Sequence, residues 1–476
     1  MGEAVKPGVQ THSVKVPRIY KLSAGILAAY LRGEGSVKDL AYKQIAKSRH
    51  PRVKAIFSLV SEAARNEKLL TRLFSATKLM ENEHPLDPAL AKILVSELLW
   101  GKGLSTAGNS KPVVTIRSYE RKLKANMSAK DAIKRPDVKS QIPRYIRINL
   151  LKEQETNRVI AILKYDGYEQ IHYEHENISY REFVEMAKNL KVDQFLVDYH
   201  FKDLLAFGAG TNFFDYKLYK EGVVILQDKA SCLAVEALNI PQGSVVLDAC
   251  AAPGMKTLQA VSKTLSCDSK NTYNVIAVER DIKRCQILRA LMRKFGADNV
   301  SIINNDFLKM DPNLYTEVEY IILDPSCSGS GIFHRDDPPE KTDQEERLQK
   351  LASLQTKLLR HALSFPNVKR VAYSTCSIHK RENEDVVMEV LEGNDGFAPL
   401  YKFKLKENCL VNWERRGLSE FGNMAERFIR SNPKDDLGIG FFVAVIERTM
   451  DRKETYQKSR KRKNIQNCSV KKKRDK

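Results

Sequence analysis

The sequence predicts an α/β protein built on a doubly wound, largely parallel sheet, preceded by a helical region and a small α+β module. Two observations carry that expectation. Residues 245–259, VVLDACAAPGMKTLQ, run from a β-branched strand ending in Asp248, through small residues and Pro253-Gly254, into a helix that opens at Lys256. Four further apolar runs each finish in a polar or nucleophilic residue: NVIAVERD (274–281) in Glu279, VSIINNDFL (300–308) in Asp306, YIILDPSCSGSG (320–331) in Asp324 and a glycine-flanked turn, and RVAYSTCS (370–377) in Cys376. Open α/β sheets bind their ligands at the carboxyl ends of the strands, and a purely structural sheet gives no reason for such repetition.

The same residues define the ligand expected there. Neither G-x-G-x-x-G nor G-x-x-x-x-G-K-[ST] is present, so the turn after Asp248 suits an adenosyl-sulfonium better than a pyrophosphate. Gly254 is expected to let backbone approach that ligand closely. Glu279 stands where a carboxylate accepts from both ribose hydroxyls, and Asp306 where one accepts from an adenine amine. Taken alone, residues 245–259 are equally a buried strand with an ordinary turn.

From the amino terminus, residues 20–100 read as helical. The clearest helix has Asp87 as cap, Pro88 at its first position, Leu90, Ile93, Leu94 and Leu98 as one apolar stripe, and Gly101 as its end. Between 101 and 140 Gly, Ser, Lys and Arg dominate, which predicts a partly helical, solvated connection. Tyr145, Ile146, Ile148 and Leu150 then suggest a strand, with a polar helix over 153–164. Arg144 and Arg147 on that strand either face phosphate or guard a sheet edge. The expected division is 1–140 helical region, 141–225 small α+β module, 226–450 catalytic sheet and 451–476 basic disordered tail. In the tail Lys458 and Arg460 to Lys463, then Lys471 to Arg474, form two basic clusters, a composition typical of nuclear addresses and RNA-binding tails.

With 476 residues, 42% of them hydrophobic, the chain is long enough for two or three cores. Lys and Arg number 79 against 59 acids, a formal charge of +20 that suits a polyanionic partner. The eight cysteines lack zinc-ligand spacing and do not read as a disulfide framework, so no metal and a reducing compartment are expected. No apolar run reaches the length of a membrane span, and MGEAVKPGVQ lacks the apolar core of a signal peptide. A soluble, intracellular protein is expected.

Several of these stretches, in this order, resemble the Nol/Nop/Sun family of S-adenosylmethionine-dependent RNA cytosine-5 methyltransferases. DACAAPGMKT is similar to that family's cofactor loop, DPSCSGSG to its first cysteine motif and YSTCS to its second. GFFVAVIER (440–448) resembles the closing strand, LQDKASCLA (226–234) the segment before the cofactor loop, and RYIRINLLK (144–152) the start of the appended RNA-binding region. The resemblance spans roughly 140–448. The DPSC spelling and the long helical amino terminus point to the subgroup of the fifth Sun-domain member, which methylates large-subunit ribosomal RNA.

The resemblance implies a Rossmann-like methyltransferase domain that binds S-adenosylmethionine through Asp248, the turn of Cys250, Ala251, Ala252, Pro253, Gly254, Met255 and Lys256, and then Glu279, Arg284, Asp306 and Asp324. It implies an RNA partner, ribosomal RNA or pre-ribosomal particles, and a nuclear or nucleolar location. The protein is expected to work as a monomer, without metal or membrane.

The chemistry requires a cysteine. Carbon 5 of cytosine is too weak a nucleophile to take a methyl from a sulfonium until a thiolate adds at carbon 6. Two cysteines stand at strand ends, Cys327 and Cys376, and a positive charge such as Lys256 would favour the thiolate. The residues alone do not rank them. By resemblance Cys376 attacks, Cys327 assists release and Asp324 holds the cytosine edge. The family's Pro-Pro-Cys is Pro325-Ser326-Cys327 here, which frees a backbone angle and adds a hydroxyl. The target base must leave its stack, and Arg280, Lys283, Arg284, Lys380 and Arg381 are candidate phosphate contacts or a solvated face. RENED (381–385) reads as helix capping. The competing functions are methylation of DNA or of another nucleophile, and an inactive fold that serves as a ribosome-assembly factor.

Overall fold

The computed structural model describes residues 15–35, 53–128, 142–265, 274–332, 343–393 and 401–449, with a few positions between 36 and 52. It divides into two units, one of residues 1–137 with 333–344, the other of 138–332 and 345–476. In the first unit Arg18–Leu31, Val53–Arg65, Glu67–Thr77 and Pro88–Trp100 are helices around one apolar core. The Asp87 carboxylate accepts from the Leu90 amide at 2.7 Å, Pro88 takes the first position and Gly101 follows the last, as expected. The buried stripe is wider than Leu90, Ile93 and Leu94: Ala91, Val95 and Trp100 are buried too, whereas Leu98 is half-buried. The helix is thus a central one, against Arg18–Leu31 and Val53–Arg65.

Beyond Gly101 the expected solvated connection is, as far as residue 128, part of this core. Lys111–Ser118 and Glu120–Ala125 are helices whose Val113, Ile116, Tyr119 and Leu123 are buried. The Arg117 guanidinium ties down the preceding loop through the carbonyls of Leu104 and Gly108. The cations interleaved with the apolar positions hid a helical spacing. Residues 129–141 lie outside the described residues.

The second unit begins with a small sheet of Arg144–Ile148 (β1), Glu169–Gln170 (β2), Gln194–Val197 (β3), Leu204–Phe207 (β4) and Val224–Leu226 (β5), in the order β2-β3-β4-β1-β5. One face packs Ile146, Ile148, Phe195 and Phe207 on Val159 and Leu163 of the helix Thr156–Tyr165. The other packs Tyr145, Leu204 and Ala206 on Leu233, Ala234 and Ala237 of the helix Lys229–Leu238. Arg147 therefore neither faces phosphate nor guards an edge. β1 is paired on both sides, with β4 and β5, and Arg147 is 1% exposed, its Nε donating to Gln227 Oε1 at 2.8 Å. Arg144 lies over the Phe214 ring.

The second sheet holds Val246–Asp248 (β6), Val275–Val278 (β7), Ser301–Ile303 (β8), Tyr320–Leu323 (β9), Arg370–Thr375 (β10), Phe403–Leu405 (β11), Phe428–Ser431 (β12) and Phe441–Arg448 (β13). Its order is β11-β13-β10-β9-β6-β7-β8, with β12 also on β13. Strands β10, β9, β6, β7 and β8 run parallel, and β13 closes antiparallel. Along β9 Tyr320 and Ile322 enter the core with Leu258 and Leu288, while Ile321 and Leu323 enter the core with Leu359 and Val387. Helices thus cover both faces, the Rossmann-like arrangement predicted from the sequence. Among the described residues no helix is long and apolar enough to cross a membrane.

The small sheet is joined to the large one through a buried ion pair, Lys229 Nζ to Asp198 Oδ2 at 2.8 Å, with side chains 1% and 0% exposed. The ammonium also lies over the rings of Tyr180, Phe183 and Trp413. Lys229→Met leaves the Asp198 charge buried without its counter-ion and is expected to cost about 3–5 kcal/mol. Urea unfolding of the variant checks this; a loss below about 1 kcal/mol would show that the pair adds little.

Candidate active site

The switch point of the large sheet lies at β6, with β7 on one side and β9 on the other. Parallel pairing aligns Asp248 with Ile322 and Ala277, and Leu323 with Tyr373, so the residues that follow these strands emerge at one edge. There the Sγ atoms of Cys327 and Cys376 lie 3.2 Å apart. Lys256, in the first turn of the helix Met255–Thr264, donates to Asp324 Oδ2 at 2.8 Å and to Ser231 Oγ at 3.1 Å, and its ammonium lies over the Phe441 ring. Asp324 Oδ1 accepts from Ser374 Oγ at 2.7 Å, so donors from two elements orient that carboxylate.

Charge in this cluster is uneven. Burial by itself depresses Lys256, but Asp324, Asp248 and Cys376 outweigh it and hold the ammonium above its ordinary value. The hydrogen bond to Cys376 pushes the Cys327 thiol far up, with burial and the carboxylates of Asp324 and Glu382 adding to it. Ser326 is exposed on the outside of the turn, and its carbonyl accepts from Gln355 Nε2 at 3.0 Å, which restrains the backbone where a second proline is missing.

On the other side of β6 are the residues expected to bind a nucleoside. Glu279 is 3% exposed, and its Oε1 accepts from the Asp281 amide at 3.0 Å. Its Oε2 is buried with no hydrogen-bond donor, the Arg284 guanidinium standing 3.4 Å off without bonding geometry. A buried acceptor left open at a strand end fits a ribose diol. Asp306 caps a short turn by accepting from the Leu308 amide. Arg284 donates to the Ala252 carbonyl and so braces the turn.

Within that turn Ala251 and Ala252 are buried, Cys250 and Met255 are half-buried and Pro253 is exposed. Burial pushes the Cys250 thiol up. Asp248 is buried, with one oxygen on Thr257 Oγ1 at 2.7 Å, so its carboxylate holds the turn. Gly254 also meets a backbone constraint. Its φ is +115°, and a Cβ there would stand 2.6 Å from Leu288 Cδ1 and Met292 Cε. The positive φ calls for the glycine, and the flexible ends of Leu288 and Met292 on the helix Ile282–Lys294 pack closely over it.

The RENED stretch departs further from its expected capping role. Glu382, Asn383 and Glu384 are all buried; Asn383 bonds Ser377 O and Thr375 Oγ1, and Glu384 takes both oxygens to Arg430 at 2.7 and 2.6 Å. Among the candidate phosphate contacts Lys380 pairs with Glu420, and Arg381 with Gln349 and Glu389, whereas Arg280 and Lys283 are exposed. Sequence reasoning missed Ser231, Ser374 and Glu382. Only Ser374 carried a local signal, as the alternate residue before Cys376 on a strand that ends at the site. Among the described residues no group of side chains could hold a metal ion.

Family models match three successive parts of the chain. Residues 54–141 match the NOL1/NOP2/Sun domain family member 5 N-terminal domain, 142–227 its ferredoxin-like domain, and 235–447 the 16S rRNA methyltransferase RsmB/F model. A mouse 28S rRNA (cytosine-C(5))-methyltransferase is 37% identical over 90% of this chain and 91% of its own length. The chain belongs to the family of NOL1/NOP2/Sun domain member 5. A Drosophila melanogaster 28S rRNA (cytosine-C(5))-methyltransferase is 36% identical over 92% of this chain and 97% of its own. A crystal structure of a methyltransferase homolog from Pyrococcus horikoshii shares the fold with a TM-score of 0.51 at 22% identity, over 77% of this chain and all of that one. In family terms the small sheet is the ferredoxin-like domain and the large sheet the methyltransferase domain.

Burial raises the Asp248 carboxyl to about 6, although Thr257 and Lys256 pull it down. Because the folded value exceeds the unfolded one, about 3.9, protonation favours the folded state; that contribution is complete below pH ~4 and lost as pH rises through 6. Asp248→Asn removes the dependence. Its stability relative to wild type should rise by about 3 kcal/mol between pH 4 and pH 7 in urea titrations. A constant difference would mean that Asp248 titrates normally.

Proposed function

We propose that the protein is an S-adenosylmethionine-dependent rRNA (cytosine-C5)-methyltransferase acting on large-subunit ribosomal RNA, with Cys376 as nucleophile and Cys327 assisting release. The observation that carries this reading is the pair of thiols 3.2 Å apart at the ends of adjacent parallel strands, beside the Lys256–Asp324 ion pair and two strand pairings away, through β6, from the open acceptor of Glu279. S-adenosylmethionine, when bound, supplies an electrophilic methyl group. Glu279 would take its ribose and Asp306 its adenine amine, with the turn from Cys250 to Lys256 and Arg284 around them.

In the proposed sequence the Cys376 thiolate, favoured by Lys256 and by the Cys327 hydrogen bond, adds to carbon 6 of a flipped cytosine. Asp324 holds a proton at ring nitrogen 3, which makes carbon 6 more electrophilic. Carbon 5, now enamine-like, would take the methyl as the sulfur–methyl bond breaks, its electron pair staying with the departing neutral thioether. Once Cys376 is bonded to carbon, its sulfur no longer holds the thiol of Cys327 as a thiolate partner. Cys327 can then release its own proton to solvent, take the proton from carbon 5 and let Cys376 leave as a thiolate, so that one proton is set free per turnover.

The same reading takes the ferredoxin-like domain as an RNA-binding module, with divisions near 140, 225 and 450, and the protein as a nucleolar monomer acting on rRNA or pre-ribosomal particles. The basic tail after 450, outside the described residues, would be its address; a fusion lacking 455–476 that still concentrates in nucleoli would overturn that part.

Two measurements test the site. Glu279→Ala should weaken S-adenosylmethionine binding by about 1.5–3 kcal/mol, the range for a hydrogen bond to a charged group; unchanged calorimetric affinity removes Glu279 from the pocket. Incubated with large-subunit rRNA fragments, Cys376→Ala should be inactive and free of adduct while still binding S-adenosylmethionine. Cys327→Ala should accumulate an RNA adduct that survives denaturing electrophoresis. The reverse pattern exchanges the two roles, and an inactive assembly factor forms no adduct with either variant.

A further inference from the structure

We propose that Glu382 is a positioning residue that sets the separation of the two cysteines by holding the residues next to both of them. Its side chain is fully buried, and its two oxygens accept four hydrogen bonds. Oε1 accepts from the Ser328 amide at 2.8 Å and from Gln355 Nε2 at 3.1 Å. Oε2 accepts from Ser328 Oγ and from Ser377 Oγ, each at 2.6 Å. Ser328 follows Cys327 and Ser377 follows Cys376, so one carboxylate ties together the turns that carry both thiols.

The surroundings remove slack from this clamp. Ser330 Oγ lies 3.1 Å from Ser328 Oγ and 3.2 Å from Ser377 Oγ, and accepts from the Ile378 amide. Gln355 spends its second hydrogen on the Ser326 carbonyl, so Cys327 is held on both flanks. The Gly331 amide donates to the Cys376 carbonyl at 2.9 Å, and a Cβ on Gly331 would stand 2.9 Å from that same oxygen. A buried carboxylate is tolerated when several donors satisfy it, and four nearly exhaust its capacity. Reaching both turns at once requires the length of a glutamate.

The inference rests on the two-cysteine mechanism proposed above, and paired variants separate it from a charge role or a purely structural one. Glu382→Asp keeps the charge but is one methylene short. Glu382→Gln keeps the length, and the serine hydroxyls can rotate to accept from its amide. Positioning predicts that Glu382→Asp loses turnover on large-subunit rRNA fragments by on the order of 100-fold, as for a misplacement of about 1 Å. It should also accumulate the denaturant-stable RNA adduct, as Cys327→Ala does, while Glu382→Gln stays within about 10-fold of wild type.

Adding Glu382→Asp to Cys327→Ala should then change the adduct yield little, because both remove the same step. The reverse order, Asp active and Gln inactive, assigns Glu382 a charge role and overturns the proposal. Loss of S-adenosylmethionine affinity and thermal stability in both, without adduct, assigns it to the fold and overturns it as well. If Glu382→Asp does not fold, Ser328→Ala puts the same question with one hydroxyl removed: adduct accumulation supports the clamp, and wild-type turnover sinks it. Wild-type protein that does not methylate the RNA at all refutes the methyltransferase reading, whereas wild-type turnover with equal Asp and Gln variants refutes the clamp alone.

Discussion

The site depends on the parallel pairing of β6, β9 and β10. Parallel neighbours end on the same side of a sheet, so chain leaving β6 at Asp248, β9 at Leu323 and β10 at Thr375 arrives at one edge. The register decides which atoms meet. Leu323 opposite Tyr373 puts Asp324 beside Ser374, and their hydrogen bond at 2.7 Å is the result. A slip of one residue would turn these side chains to the other face, and the alternation of β9 between two buried cores makes such a slip costly.

Given that edge, the remaining problem is charge. Asp248, Asp324, Glu279 and Glu382 all lie within or beside the sheet's low-dielectric core, and each is stabilised differently. Asp324 has Lys256 and Ser374, Glu382 has four donors, and Asp248 is left in the position where burial raises its carboxyl to about 6. Glu279 alone of the four keeps a buried oxygen without a hydrogen-bond donor. Lys256 faces Asp324, Asp248 and Cys376 together, so its ammonium balances the acids and favours negative charge on sulfur.

The ferredoxin-like domain is coupled to this arrangement by buried polar contacts as well as by apolar area. Besides Lys229–Asp198, the Asn149 amide donates to the carbonyls of Gly222 and Phe295, each at 2.8 Å, which joins the end of β1 to the helix beside the cofactor turn. Leaving either carbonyl unpaired would cost of the order of 1–3 kcal/mol, so the domain is held in one orientation on the sheet.

The amino-acid sequence by itself determined the parallel strands and the polar residues at their ends, because β-branched runs, small-residue turns and helix caps such as Asp87 are local properties. It also placed Cys327, Cys376, Asp324 and Glu279 at strand ends, and motif order named the family. Tertiary structure alone decided what touches what. Arg147 is buried because β1 is paired on both sides, Gly254 packs under Leu288 and Met292, and the stripe from Val113 to Leu123 was concealed by interleaved cations. Glu382 is the plainest case, since its neighbours in sequence suggest a helix cap while Ser328, 54 residues away, is its partner. A hydrogen-bond partner that distant is chosen by strand order and register, which no local pattern encodes.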